Sequence, residues 1–256
     1  MRLATAAMGT RFELVIEDEG PERHRGAAEA ALAAIEECHA RFSRFLPESL
    51  VAHLARIPAG TAVRLDRDTF EFFASAVEVW RCSRGAFDIT GGAACMAAIR
   101  LDAHRGTIAL DRAGVLLDLG AIAKGHALDL AALALREAGV VSAFLHGGTS
   151  SAIGIGPKRW AIALSADAVI ELWNAALAVS RTGHDTPHPT YDPATGKSLD
   201  VERWVAVTGP SARLCDAWAT AVAVLGREPL RMPLEYELRS TVYGQRSTEC
   251  PAAAAS

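Results

Sequence analysis

The sequence predicts an α+β fold in which a mixed, largely antiparallel sheet packs against helices. Amphipathic segments with three-to-four-residue spacing alternate with short apolar runs bounded by Gly, Pro and Asp. The two kinds interleave without the regular strand–helix–strand period of a doubly wound sheet. With 256 residues, half of them apolar, the chain has material for one sizeable core. It is expected to form one domain over 1–256, with the alanine-rich tail 251–256 frayed.

Phe12, Leu14 and Ile16 alternate with Arg11, Glu13 and Glu17, which predicts a half-buried strand over 11–17. Gly20 and Pro21 mark a turn. Ala28, Leu32, Ile35, Cys38 and Phe42 then give one buried stripe to a helix over 23–42. The next helix is expected to begin near Asp68, which with Glu71 has capping-box spacing. Phe70, Phe73, Val77 and Trp80 form its expected inward face, and Gly85 its stop. A third helix is predicted over 124–138, with Leu128, Ala131 and Leu135 buried and Gly139 as the left-handed residue after it. A fourth fits 214–225, stopped by Gly226. The apolar runs 115–117, 143–145, 160–164, 177–179 and 204–207 are expected strands.

A net charge of −4 leaves no overall basic surface for nucleic acid. Five scattered cysteines without a Cys-x-x-Cys pair suggest neither a zinc site nor a redox dithiol. The stretch before the charged segment 11–19 is too short for a secretory apolar region or a membrane span, so the cytoplasm is the expected location.

Five glycine- or acid-bearing segments fall where strands should end: Met8-Gly9-Thr10, Gly85 to Thr90, Asp118 to Gly125, His146-Gly147-Gly148 and Asp192 to Gly196. Such loops allow close backbone approach to a ligand, although each alone also reads as an ordinary turn. In the third, an acid ends a strand and Lys124 opens a helix, whose free N–H groups suit a phosphate or an electron-rich carbonyl. It is not a Walker A loop, because Lys124 precedes its glycine. Gly154-Ile155-Gly156 carries Arg159 where a Rossmann fingerprint needs glycine. Asp216 and Thr220, four apart on one helix face, could hold a hard cation. Equally, Asp216 could cap its helix and Thr220 bond back to the preceding turn.

Taken together, in order and spacing from Met8 to about Gly226, these segments resemble the FAD:protein FMN transferases, the ApbE family. The resemblance implies FAD contacts at Met8, at Phe45 in Ser43-Arg44-Phe45, at Ala86, Phe87 and Asp88, at Asp118 and Lys124, and at Tyr191 against the flavin. It implies Mg²⁺ held by the Ala121 backbone carbonyl and the Asp216 and Thr220 side chains. The implied reaction moves the FMN half of FAD onto a threonine or serine hydroxyl of an acceptor protein and releases AMP. Three features depart from the pattern. Pro189 stands where the family has a histidine, which leaves His184 and His188 as candidate bases. Thr149 follows the His146-Gly147-Gly148 turn where Asp or Asn is usual, and no final hairpin is recognisable beyond Gly226. The alternatives are an FAD pyrophosphatase, a non-catalytic flavin-binding protein, and a protein-binding module without a flavin site.

Overall fold

Strand alternation decides the layers of this molecule. The computed structural model describes residues 1–18, 20–90, 95–165, 168–183, 190–226 and 231–242. The chain opens with two strands, β1 (Arg2–Ala7) and β2 (Thr10–Ile16), joined by the Met8–Gly9 turn. Helices α1 (Arg25–Phe42) and α2 (Leu50–Arg56), the short strand β3 (Val63–Arg64), helix α3 (Arg67–Cys82) and strands β4 (Ile99–Asp102) and β5 (Thr107–Leu110) follow. Next come α4 (Ala123–Glu137), β6 (Ala143–Gly147), β7 (Ser151–Ile155), β8 (Trp160–Ser165), β9 (Ala168–Leu172) and β10 (Ala176–Thr182). Strand β11 (Arg203–Gly209), helix α5 (Ala212–Leu225) and strand β12 (Glu237–Val242) complete the described elements.

The main sheet has the order β1-β2-β6-β7-β10-β11-β12, every neighbour pair antiparallel. Its side chains sort by period two. Ala143, Leu145, Ile153, Ala176, Ala178, Val205 and Val207 join the core that the helices cover. Their neighbours Phe144, Ala152, Leu177 and Ala206 turn to the other face, against Ile170 and Leu172 of the β8–β9 hairpin. The central strands β6, β7, β10 and β11 are therefore packed on both faces. Its helical side is built round α4, which packs against α1, α5, β6 and β7.

The predicted strand 11–17 and the helices 23–42, 124–138 and 214–225 are present within two residues of the expected bounds. Gly139 has the left-handed φ of 75° anticipated after α4.

Four expectations are corrected. Helix α3 is capped by Asp66 and not by Asp68, since the Asp66 carboxylate accepts the Thr69 amide at 2.8 Å. That shift turns Phe72, Ala76 and Val79 inward with Phe73, and leaves Phe70, Val77 and Trp80 half-buried. Residues 115–117 alternate as expected, with Val115 and Leu117 buried and Leu116 exposed, but among the described residues they belong to no strand. Beyond Gly226 a strand does form, β12, which pairs with β11 across the α5 connection.

Strands β1, β3, β4, β5, β7 and β9 and the seven-residue α2, capped by Ser49, went unpredicted. Each is too short or too alanine-rich to give a periodic signal. Among the described residues no cysteine forms a disulfide, and burial pushes the Cys38 thiol up to about 12. Among the described residues no helix is long and apolar enough to cross a membrane. The tail 251–256 lies outside the described residues.

Candidate functional site

Helices α4 and α5 meet at their N-terminal ends and cap each other. Asp129 on α4 accepts from the Ser211 hydroxyl at 2.7 Å and from the Ala212 and Arg213 amides at 2.8 and 3.0 Å, which satisfies the first turn of α5. In return, Asp216 on α5 accepts the Gly125 amide of α4 at 2.7 Å through Oδ2. The crossing is so close that a Cβ on Gly125 would lie 2.1 Å from the Ala212 carbonyl oxygen. Only glycine fits there.

Asp216 is almost fully buried, at 6% exposure. Its Oδ1 accepts the Ser151 hydroxyl at 2.7 Å. Burial pushes its carboxyl up from the usual range, opposed by the Lys124 charge and by the hydrogen bonds from Ser151 and Gly125. Asp216 thus does not cap its own helix; Ser211 does, accepting the Leu214 amide at 3.3 Å. A carboxylate offers about four lone-pair sites, and Gly125 and Ser151 take two. Thr220 lies one turn further along α5 and is half-buried. Among the described residues no group of three or more His, Cys, Asp or Glu could hold a metal. A cation beside Asp216 would therefore rely on hydroxyl, carbonyl and ligand oxygens, a donor set that suits Mg²⁺.

The loop entering α4 links this pair to the other predicted segments. Asp118 donates its amide to the Ile89 carbonyl at 2.8 Å and accepts the Gly120 amide at 3.0 Å. Lys124 folds back to donate to the Gly120 carbonyl at 2.9 Å. Arg44 lies 3.6 Å from the Asp118 carboxylate and stacks 4.5 Å over the Phe45 ring, which is 79% exposed. In the 86–90 segment, Asp88 accepts the Thr90 amide at 2.6 Å, while Ala86 and Phe87 are buried, with Phe87 in the main core. Any ligand contact from Phe87 would therefore use its backbone.

Met8 holds a left-handed φ of 51° in the β1–β2 turn and donates its amide to His39 Nδ1 at 3.3 Å. Residues 6–11 and His39 line an open hollow of about 450 Å³. The Gly148 amide ties the β6–β7 turn to the Arg11 carbonyl at 2.9 Å. Since Ser151 begins β7 directly after that turn, hydrogen bonds and chain neighbours run without a gap from Phe45 through Asp118, Lys124 and Asp216 to Met8.

Tyr191 stands apart. It is half exposed in a local β-bridge with Ser198, its segment held by the Asp192 amide donating to the Lys197 carbonyl and the Asp192 carboxylate accepting from the Ala194 amide and the Thr195 hydroxyl. His184, His188 and Pro189 lie outside the described residues. Sequence reasoning missed Ser151, Arg44 and Asp129. Nothing in their spacing marks them, because each acts on a residue distant in the chain or, for Arg44, on a neighbouring ring.

Comparison with known proteins places the sequence and the fold in a family. The sequence matches the ApbE family over residues 8–98 and 93–241. No curated protein sequence matches at a significant level. The structure is similar to that of the ApbE protein from Thermotoga maritima, with 25% identity and a TM-score of 0.75 over 88% of this chain and 86% of that one. It shares its fold with the flavinyl transferase ApbE of Pseudomonas stutzeri in its apo form (22% identity, TM-score 0.73, 88% and 85% covered). The same holds for the flavin transferase ApbE of Vibrio cholerae (20%, 0.73, 89% and 87%). Matched along most of its length by the family's model, the chain belongs to the ApbE family.

Proposed function

We propose that this protein is a flavin transferase that moves the FMN half of FAD onto a threonine or serine hydroxyl of an acceptor protein and releases AMP. The observation that carries the reading is the buried, doubly hydrogen-bonded Asp216 at the junction of α4 and α5, beside the loop that bears Asp118 and Lys124. Membership of the ApbE family and the fold shared with flavin transferases support it.

In this reading Asp216, Thr220 and the Ala121 carbonyl hold Mg²⁺, which when bound neutralises charge on the FAD diphosphate. Lys124 and the N-terminal turn of α4 add positive potential for the same anion. Phe45 offers an exposed face for stacking. Met8, Asp118, Tyr191 and the 86–88 segment complete the dinucleotide contacts. The acceptor oxygen forms a bond to the phosphorus on the FMN side, the bond from that phosphorus to the bridging oxygen breaks, and AMP departs with that oxygen. The hydroxyl proton goes to a base, for which His184 and His188 are the candidates in place of the absent histidine at Pro189.

The test is incubation with FAD, Mg²⁺ and an acceptor protein. The expected result is a flavin-fluorescent acceptor band on a denaturing gel, with AMP formed in equal amount. FMN and AMP without a labelled band would show an FAD pyrophosphatase. Intact FAD, tightly bound, would show a flavin-binding protein without catalysis.

A further inference from the structure

We infer that Ser151 is a positioning residue of the cation site, fixing the Asp216 carboxylate so that its remaining lone pairs are free for a divalent ion. The inference rests on the proposed reading of Asp216, Thr220 and Ala121 as that site.

Ser151 is 4% exposed and begins β7 in the middle of the sheet. Its backbone is held on both sides, in register with Gly147 of β6 and Ala178 of β10. The sheet therefore fixes the Ser151 backbone, and from there the hydroxyl meets Asp216 Oδ1 at 2.7 Å. The Ser150 hydroxyl, 3.5 Å away, completes a short polar chain behind it.

The carboxylate it serves is in an unusual position. Asp216 is buried, yet among the described residues it has no salt-bridge partner; Lys124, the charge that acts on it, spends its ammonium on the Gly120 carbonyl. A buried carboxylate held by two neutral donors lacks the countercharge such a group requires. A divalent cation would supply it. One oxygen is then oriented by a helix amide and the other by a strand hydroxyl, which defines the carboxylate plane from two rigid elements. Groups that orient a ligand in this way typically contribute ten- to a hundredfold to metal affinity.

The test uses Mn²⁺ as the probe, titrated by electron paramagnetic resonance into the full-length protein with FAD. Ser151→Ala is expected to weaken Mn²⁺ binding by about 10–100-fold, and Ser151→Thr, which keeps the donor, to restore it to within a few-fold of the original. Ser151→Cys keeps the volume with a weak donor; it should fall with alanine, and it carries the test if the alanine variant does not fold. Mn²⁺ affinity unchanged in the alanine and cysteine variants, with the parent protein binding normally, would overturn the role of Ser151 and leave the cation site standing. Failure of the parent protein to bind Mn²⁺ would remove the cation site and this role together.

Discussion

The Gly125 amide donates to Asp216 at 2.7 Å across a helix crossing that leaves no space for a side chain on Gly125. A structural constraint and a proposed chemical one thus fall on the same pair. The approach of α4 to α5 brings the Asp118–Lys124 loop to Asp216, and the hydrogen bond between them sets the orientation of the carboxylate.

Gly125→Ala should break this junction. The added Cβ would sit 2.1 Å from the Ala212 oxygen and 2.7 Å from the Arg213 nitrogen, both backbone atoms that cannot swing aside. Overpacking of this kind costs about 1–3 kcal/mol, and the upper end is expected here. Urea unfolding measures the loss, and Mg²⁺-dependent flavin transfer should disappear in the fraction that stays folded.

Asp129→Ala removes the acceptor for the first two amides of α5 and for Ser211. A lost cap costs about 1–2 kcal/mol. Thermal unfolding should show a lower midpoint, with FAD affinity changed only through the displaced α5.

Acid should weaken the α3–α4 contact. Contact with His126 holds the Asp68 carboxyl below its usual range; His126 Nε2 lies 3.3 Å from Asp68 Oδ2, an ion-pair distance without hydrogen-bond alignment. Because the folded carboxyl titrates below the unfolded one, its contribution is complete above the unfolded value near 3.9 and is lost as pH falls through the folded value. The urea midpoints of the parent and Asp68→Asn proteins should therefore differ most at neutral pH and converge in acid.

Phe45→Ala should weaken FAD binding by about two- to tenfold, the range that an aromatic stacking contact of about 0.5–1.5 kcal/mol supplies. Since the ring is 79% exposed, unfolding should be unaffected. Flavin fluorescence quenching measures the first effect, and Phe45→Tyr should bind as the parent does.

The helices were legible because their apolar stripes are long. The α3 stripe came out rotated because Asp66 and Asp68 both have capping chemistry, and only the Thr69 amide chooses between them. The run 115–117 carries a strand's alternation without a partner strand among the described residues, a tertiary fact that no local pattern contains. In the site, Asp216 is marked by its four-residue spacing from Thr220 on one helix face, and Lys124 by opening a helix after an acid that ends an apolar run. Ser151 and Asp129 did not, since their hydrogen bonds reach 65 and up to 84 residues along the chain.

The most direct test of the central claim is equilibrium dialysis with FAD, with and without Mg²⁺, on the parent and Asp216→Asn proteins. Saturable FAD binding that Mg²⁺ tightens in the parent, with that gain absent in the variant, is the predicted result. No FAD binding, or a Mg²⁺ effect that survives in Asp216→Asn, would contradict it.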